Sequence, residues 1–158
     1  MFPWRRRGDP PPATPCRVLL ASTGAPFSRQ AVERAAELAG DAPVGIITIA
    51  RLHGYAFGLP NPGLLPTKKE RAAQLSIVEA AIDRLAASGI EADGEVAVTR
   101  SEARTIANTA KRRQVATVVM DANPSPRWRR LVEGDAVADV GRRLGRNGAR
   151  LVVVGQSP

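Results

Sequence analysis

The residues Met120-Asp121-Ala122-Asn123-Pro124, and after nine intervening residues Gly134-Asp135, have the layout of a phosphate-binding turn. An apolar run, Ala116 to Met120, leads into them, and a helix-forming stretch from about Asp135 to Leu144 leads out. A turn that cradles phosphate needs glycines for close backbone approach, free N–H groups and no negative charge. Here Asp121 and Asp135 bring carboxylates, and Pro124 has no N–H to give. Asp135 is also a good N-cap, so its carboxylate is expected to take the free N–H groups of the following helix that a phosphate would use. A like-charge contact at about 4 Å costs about 4 kcal/mol at an effective dielectric of ~20. That is roughly a thousandfold in affinity, enough to erase a modest affinity for a polyphosphate. The plainer alternative has Asp121 in solvent, Asp135 as a cap only and Pro124 stiffening the turn; the glycine cradle is missing either way.

A second turn, Ala21-Ser22-Thr23-Gly24, follows an apolar strand and precedes a helix, as a flavin phosphate loop does. Ala25, Pro26 and Phe27 follow where a run of hydroxyls would be needed, and aromatic residues make up 4% of the chain, so no flavin is expected. His53 is the only histidine and Cys16 the only cysteine. No metal centre and no Ser-His-Asp constellation can be assembled from them, and no cofactor is expected. Cys16 is expected to be a small buried hydrophobe at a strand entry. The loop of His53, Tyr55, Phe57 and Leu59 would follow strand two on the ligand side, either as a lid or packed down for stability. Arg127-Trp128-Arg129-Arg130 places arginine beside tryptophan, a pairing suited to phosphate contact and base stacking or to a partner-protein anchor. It is equally consistent with a tryptophan tucked against the fold and arginines in water.

The elements that position these residues can be read from the pattern. Residues 1 to 15 carry Pro3, Pro10, Pro11, Pro12 and Pro15 and are expected to be a disordered arm, with the folded domain spanning 16 to 158. Phe2, Trp4 and Arg5-Arg6-Arg7 give that arm a basic, aromatic tip. Arg17 to Ala21 is a short apolar strand; Ser28 caps a helix with Val32, Ala35, Ala36 and Ala39 on one face, ending at Gly40. Val44 to Ala50 is a second strand, followed by a loop rich in glycine and proline up to Pro66. Thr67-Lys68-Lys69-Glu70 is a capping box that opens the longest helix, with Leu75, Val78, Ile82 and Leu85 as its apolar stripe. A third strand lies around Glu95 to Val98, and Thr99-Arg100-Ser101-Glu102 is a second capping box before Ile106, Ala107 and Ala110. Strand Ala116 to Met120, the helix after Asp135 and strand Arg150 to Val154 complete a βαβαβαβαβ order. Such alternation predicts a parallel sheet covered on both faces, with ligands at the carboxyl ends of the strands where the strand order reverses.

At 158 residues the chain is long enough for one domain with a real core. It has 23 basic residues; three are lysines (Lys68, Lys69, Lys111), leaving 20 arginines, and the net charge is +8. That balance favours acidic partners such as nucleic acid, an anionic membrane surface or an acidic protein. The arginines are scattered, which a solvated surface also explains. No apolar run approaches the ~20 residues of a membrane span, no signal-peptide pattern is present, and a cytoplasmic location is expected.

From Arg17 to Gly155 the sequence resembles the universal stress protein family. Gly24 and Ser28 match the family's first turn, with Thr23 where an aspartate would stand. The positions of the ATP-binding branch's G-x-x-G, nine residues, G-Ser/Thr motif fall on Asp121, Pro124, Gly134 and Asp135; the spacing fits and only Gly134 keeps the residue type. The resemblance implies an α/β, Rossmann-like fold with a five-stranded parallel sheet in the order 3-2-1-4-5. It also implies a homodimer through the last strand, Leu151-Val152-Val153-Val154. The ligand cleft would be formed by Ser22, Thr23, Gly24, Asp121, Asn123, Pro124, Gly134 and Asp135. The function it implies is a non-catalytic regulatory or interaction module without ATP. A sensor of a different nucleotide-like ligand and a basic adaptor on a larger complex are the alternatives.

Overall fold

A computed structural model describes residues 16–51, 67–122 and 135–155. Among these residues five strands and four helices follow one another: β1 Val18–Ser22, α1 Arg29–Ala39, β2 Val44–Arg51, α2 Lys68–Ala87, β3 Ala92–Thr99, α3 Glu102–Arg112, β4 Thr117–Asp121, α4 Ala136–Arg146 and β5 Arg150–Val154. The strands form one sheet in the order β3-β2-β1-β4-β5, all pairs parallel. β1 is buried along its whole length, as a central strand covered on both faces must be.

Alternation along the strands divides the core. Leu19 and Ala21 of β1, Ile47 and Ile49 of β2, and Val118 and Met120 of β4 pack with Ala103, Ile106, Ala107 and Ala110 of α3 and with Val140 and Leu144 of α4. Val18 and Leu20, Val44 and Ile46, and Val119 face the other way, onto Ala31, Val32, Ala35 and Ala39 of α1 and Val78, Ala81 and Leu85 of α2. Thus α1 and α2 cover one face and α3 and α4 the other. The change of face coincides with the reversal of strand order between β1 and β4, which opens a crevice at the carboxyl ends of those two strands.

Two local expectations need correction. Leu75 does not belong to the buried stripe of α2; it is 38% exposed, and the inward positions are Gln74, Val78, Ala81 and Leu85. The heptad-like reading chose the apolar residue, whereas the 3.6-residue turn puts its polar neighbour inside. Nor does Thr99 cap α3. The N-cap is Ser101, which makes no side-chain cap hydrogen bond. Thr99 ends β3 and its hydroxyl accepts from Ser101 N–H and from the Thr105 hydroxyl, at 3.1 and 3.0 Å. The box at Thr67 forms as expected: Glu70 N–H donates to the Thr67 hydroxyl at 3.1 Å and Thr67 N–H to the Glu70 carboxylate at 2.8 Å.

One glycine governs how closely α2 seats. A Cβ on Gly94 of β3 would lie 2.3 Å from Val78 Cγ1 and 3.2 Å from Ile46 Cβ, so the bare backbone is what admits Val78 to the sheet.

Candidate functional site

The crevice is built from the ends of β1 and β4 and the first turns of the helices. After β1, the Ser22 hydroxyl donates to the Ala25 carbonyl and accepts from Gly24 N–H at 3.2 Å. The turn is therefore held by its own hydroxyl, as serine does in such turns. Gly24 has φ 122°, and a Cβ there would approach the Ile49 carbonyl at 3.3 Å. The turn thus leans over the end of β2. Its Gly24 carbonyl accepts from Gln74 Nε2 of α2 at 2.9 Å. Thr23 is half-buried in this turn.

Ser28 caps α1, its hydroxyl accepting from Ala31 N–H at 3.0 Å. The first turn of α1 holds no acidic residue. The missing negative charge comes from across the crevice. Ser28 N–H donates to Asp121 Oδ2 at 2.9 Å, and the Ser28 hydroxyl donates to Asp121 Oδ1. Asp121 is the last residue of β4, beside Val154 of β5. It thus joins the end of β4 to the start of α1, where the helix dipole favours an anion. On the far side, Asp135 caps α4: its Oδ1 accepts from Val137 N–H at 3.1 Å and Ala138 N–H at 3.3 Å. Two of the helix N-termini at this end of the sheet are therefore served by carboxylates of the chain itself.

Of the residues expected to form the cleft, Ser22, Thr23, Gly24, Asp121 and Asp135 stand at this end of the sheet. Asn123, Pro124 and Gly134 lie outside the described residues, as do Arg127, Trp128, Arg129 and Arg130, the loop of His53, Tyr55 and Phe57, and the arm of residues 1 to 15. Leu151 to Val154 lie on the edge strand β5 and are half-buried. The sequence marked Ser28 only as a cap; its pairing with Asp121, 93 positions away, had no local signal. Gln74 was likewise missed, its polar character hidden beside the apolar Leu75. Among the described residues no group of three or more His, Cys, Asp or Glu side chains is placed to hold a metal.

A second polar cluster sits at the opposite end of the sheet. The Arg113 side chain is 1% exposed and its Nη2 lies 2.5 Å from Asp93 Oδ1. It passes over Gly45, where a Cβ would be 2.5 Å from Arg113 Nη1 and 3.0 Å from Cys16 Sγ. Burial pushes the Cys16 thiol above its ordinary value, with the Arg113 charge and a hydrogen bond from the Gly45 backbone pulling the other way and Asp93 adding to the rise. This cluster ties strand entries together, away from the crevice.

The universal stress protein family model matches residues 16–154. The chain belongs to the universal stress protein family. Solved structures agree on the fold. A universal stress protein from Archaeoglobus fulgidus is 14% identical, with 90% of this chain and 95% of that one covered at a TM-score of 0.63. A universal stress protein in complex with cAMP is 18% identical, covering 91% of this chain and all of that one (100%), at a TM-score of 0.64. The Archaeoglobus fulgidus protein in complex with dAMP is 15% identical, covering 88% and 97%, at a TM-score of 0.57. No curated protein matches the chain. The five-stranded parallel sheet in the order expected for a universal stress protein is thus present. No helix among the described residues is long and apolar enough to cross a membrane.

Proposed function

We propose that this universal stress protein is a non-catalytic, cytoplasmic regulatory or interaction module that does not bind ATP tightly. The observation that carries the reading is the Asp121 carboxylate seated on the Ser28 cap of α1, with Asp135 on the first turn of α4. An incoming phosphate would have to displace one carboxylate or sit beside it. Displacement forfeits hydrogen bonds to a charged acceptor, about 1.5–3 kcal/mol each when protected from water. Coexistence incurs like-charge repulsion. Among the described residues no nucleophile–base pair stands at the crevice: the Ser22 hydroxyl is held by its own turn, and Ser28 faces a carboxylate directly. Calorimetry with Mg-ATP at physiological salt tests this. No heat of binding at micromolar concentrations is expected, and micromolar affinity would overturn the reading.

The cAMP and dAMP complexes of proteins with this fold favour a second reading, a sensor of a nucleotide-like ligand lacking the polyphosphate. Self-association through β5 is part of the proposal. Its edge is open among the described residues, and Leu151, Val152, Val153 and Val154 remain half-buried rather than buried, the condition in which a strand edge recruits another. Light scattering should give twice the 16.8 kDa chain mass; a monodisperse monomer would refute it. The net charge of +8 supports acidic protein, nucleic acid or anionic membrane surface as the partner class, with Arg127, Trp128, Arg129 and Arg130 as candidate contacts.

A further inference from the structure

Charge is divided unequally between the two helical layers, counting from the start of each helix to the first residue of the next strand. On the face covered by α1 and α2, Arg29 and Arg34 stand against Glu33, Glu37 and Asp41, and Lys68, Lys69, Arg71 and Arg84 against Glu70, Glu79, Asp83 and Glu91. On the other face, α3 and its turn carry Arg104, Lys111, Arg112 and Arg113 against Glu102. Helix α4 and its turn carry Arg142, Arg143, Arg146 and Arg150 against Asp139. The first layer is thus one negative charge from neutral, and the second holds six positive charges in excess. Part of that surplus is neutralised from within. Arg112 Nη2 donates to Glu95 Oε1 of β3 at 2.9 Å, the buried Arg113 meets Asp93, and Arg142 and Arg143 share Asp139 at 3.5 and 3.4 Å. Arg104, Lys111 and Arg146 have no ion-pair partner among the described residues.

The outward cations share one face. Helices α3 and α4 each join two strands of one parallel sheet, so they run in the same direction, packed side by side. The exposed stripe of α3 is Arg104, Asn108 and Lys111, and that of α4 is Ala138, Arg142 and Arg146. Arg104 and Lys111 stand two turns apart, about 10 Å, and Arg142 and Arg146 one turn, about 6 Å; packed helix axes lie about 8–10 Å apart. The helix dipole favours cations in the last turn, which suits Lys111 and Arg146. Yet α1 ends with no basic residue there, and Arg104 lies in the first turn of α3, where a cation is unfavourable. Helix stability alone therefore does not account for this face.

The partner follows from what the face lacks. The exposed large hydrophobic residues of the described chain, Leu75 and Val98, lie on α2 and β3, and no aromatic residue occurs in α3 or α4. A protein partner anchors on apolar and aromatic residues, a membrane surface takes apolar side chains into its headgroup region, and single strands stack on aromatics. Duplex RNA is gripped through its 2′-hydroxyls, for which Asn108 is the one uncharged polar side chain on the two stripes. The phosphate backbone of duplex DNA needs none of these. It is held by cations through the release of its counterions. Four cations spread over about 10 Å reach about three base-pair steps of such a duplex.

We propose that Arg104, Lys111, Arg142 and Arg146 form a sequence-independent contact surface for the backbone of double-stranded DNA. This rests on the acidic-partner reading above and deepens it, placing the contact on the α3 and α4 layer rather than on Arg127 to Arg130. The test is fluorescence anisotropy on the full chain with a labelled duplex of mixed sequence, about 20 base pairs long, at salt from about 50 to 200 mM. Four phosphate contacts give log affinity a slope of at least about −3.6 against log salt, a fall of roughly 150-fold or more across that range. The double variant Lys111→Gln with Arg146→Gln should lessen the slope by about 2 and weaken binding to unrelated sequences equally. The double variant Lys68→Gln with Lys69→Gln removes the same charge from exposed positions on α2 and should leave the slope unchanged. Both introduce glutamine, a good helix former, at exposed sites. No binding at the lowest salt, equal losses in the two variants, or no loss in either would overturn the surface. Tighter binding to vesicles containing phosphatidylserine, to duplex RNA or to single strands would overturn the choice of duplex DNA. Failure here leaves the no-ATP reading standing, since that rests on Asp121 and Asp135; micromolar ATP affinity would remove that reading and leave this surface standing.

Discussion

Replacing Asp121 with alanine should loosen the fold by an amount that the geometry sets. The change deletes an acceptor for Ser28 N–H at 2.9 Å, an acceptor for the Ser28 hydroxyl, and the negative charge that Asp121 brings to the start of α1, whose own first turn has no acidic residue. Hydrogen bonds to a charged group contribute about 1.5–3 kcal/mol each. Ser28 is exposed, so water replaces part of each, and the two together are expected to be worth about 1.5–2.5 kcal/mol with the dipole contribution included. For a chain of this size that is a fall of roughly 4–8 °C in Tm. Ser28→Ala loses the same hydroxyl bond and also the cap on Ala31 N–H, itself worth about 1 kcal/mol, so a similar total is expected. The decisive quantity is the double variant. If the two side chains act through each other, the combined loss should fall short of the sum by about 1 kcal/mol. Urea denaturation of the four proteins at one fixed protein concentration measures it. Losses that add to within about 0.3–0.5 kcal/mol would show that Asp121 and Ser28 are energetically independent, and the idea of a carboxylate bridging the crevice would fall.

Gly94→Ala should destabilise by about 1–3 kcal/mol, the usual cost of overpacking, because its Cβ would lie 2.3 Å from Val78 Cγ1. Adding Val78→Ala should recover much of the loss, and a double variant no better than the sum of its parts would refute the contact. For Cys16 the sign of the pH effect follows from burial. The folded thiol ionises above its ordinary value of 9.0, so between that value and the folded one the unfolded chain has lost a proton that the native chain keeps. Stability from this group is fully present below pH 9.0 and declines as pH rises toward the folded value. The difference in stability between the native protein and Cys16→Ala should therefore shrink above that pH, and a difference that grows with alkalinity would contradict the assignment.

Much of this architecture follows from local chemistry. Short β-branched runs at Val44 to Ile49 and Val115 to Val119, each separated by capped helical stretches, dictate alternating strands and helices, and alternation of that kind allows little but a parallel sheet with two covered faces. Ser28, Thr67 and Asp135 announced their helix starts because a cap is a contact within three residues. Helix α2 is where local pattern failed. Leu75 looks like stripe material, and only the seating of Val78 against Gly94 turns Gln74 inward instead. The glycine-poor turn after β4 could be read as hostile to phosphate from residue types alone, since aspartate and proline lack what such a turn needs wherever they point.

What the sequence by itself determined is the fold class and the chemical character of each end of the sheet, because hydrophobic period, capping and charge are properties of neighbours along the chain. Only the tertiary structure decided which groups meet: Asp121 with Ser28 across the strand reversal, Gln74 with Gly24, Arg113 with Asp93 beside Cys16. Each of those pairs joins different elements, and their distances are set by strand register and helix seating, which depend on the packing of the whole core.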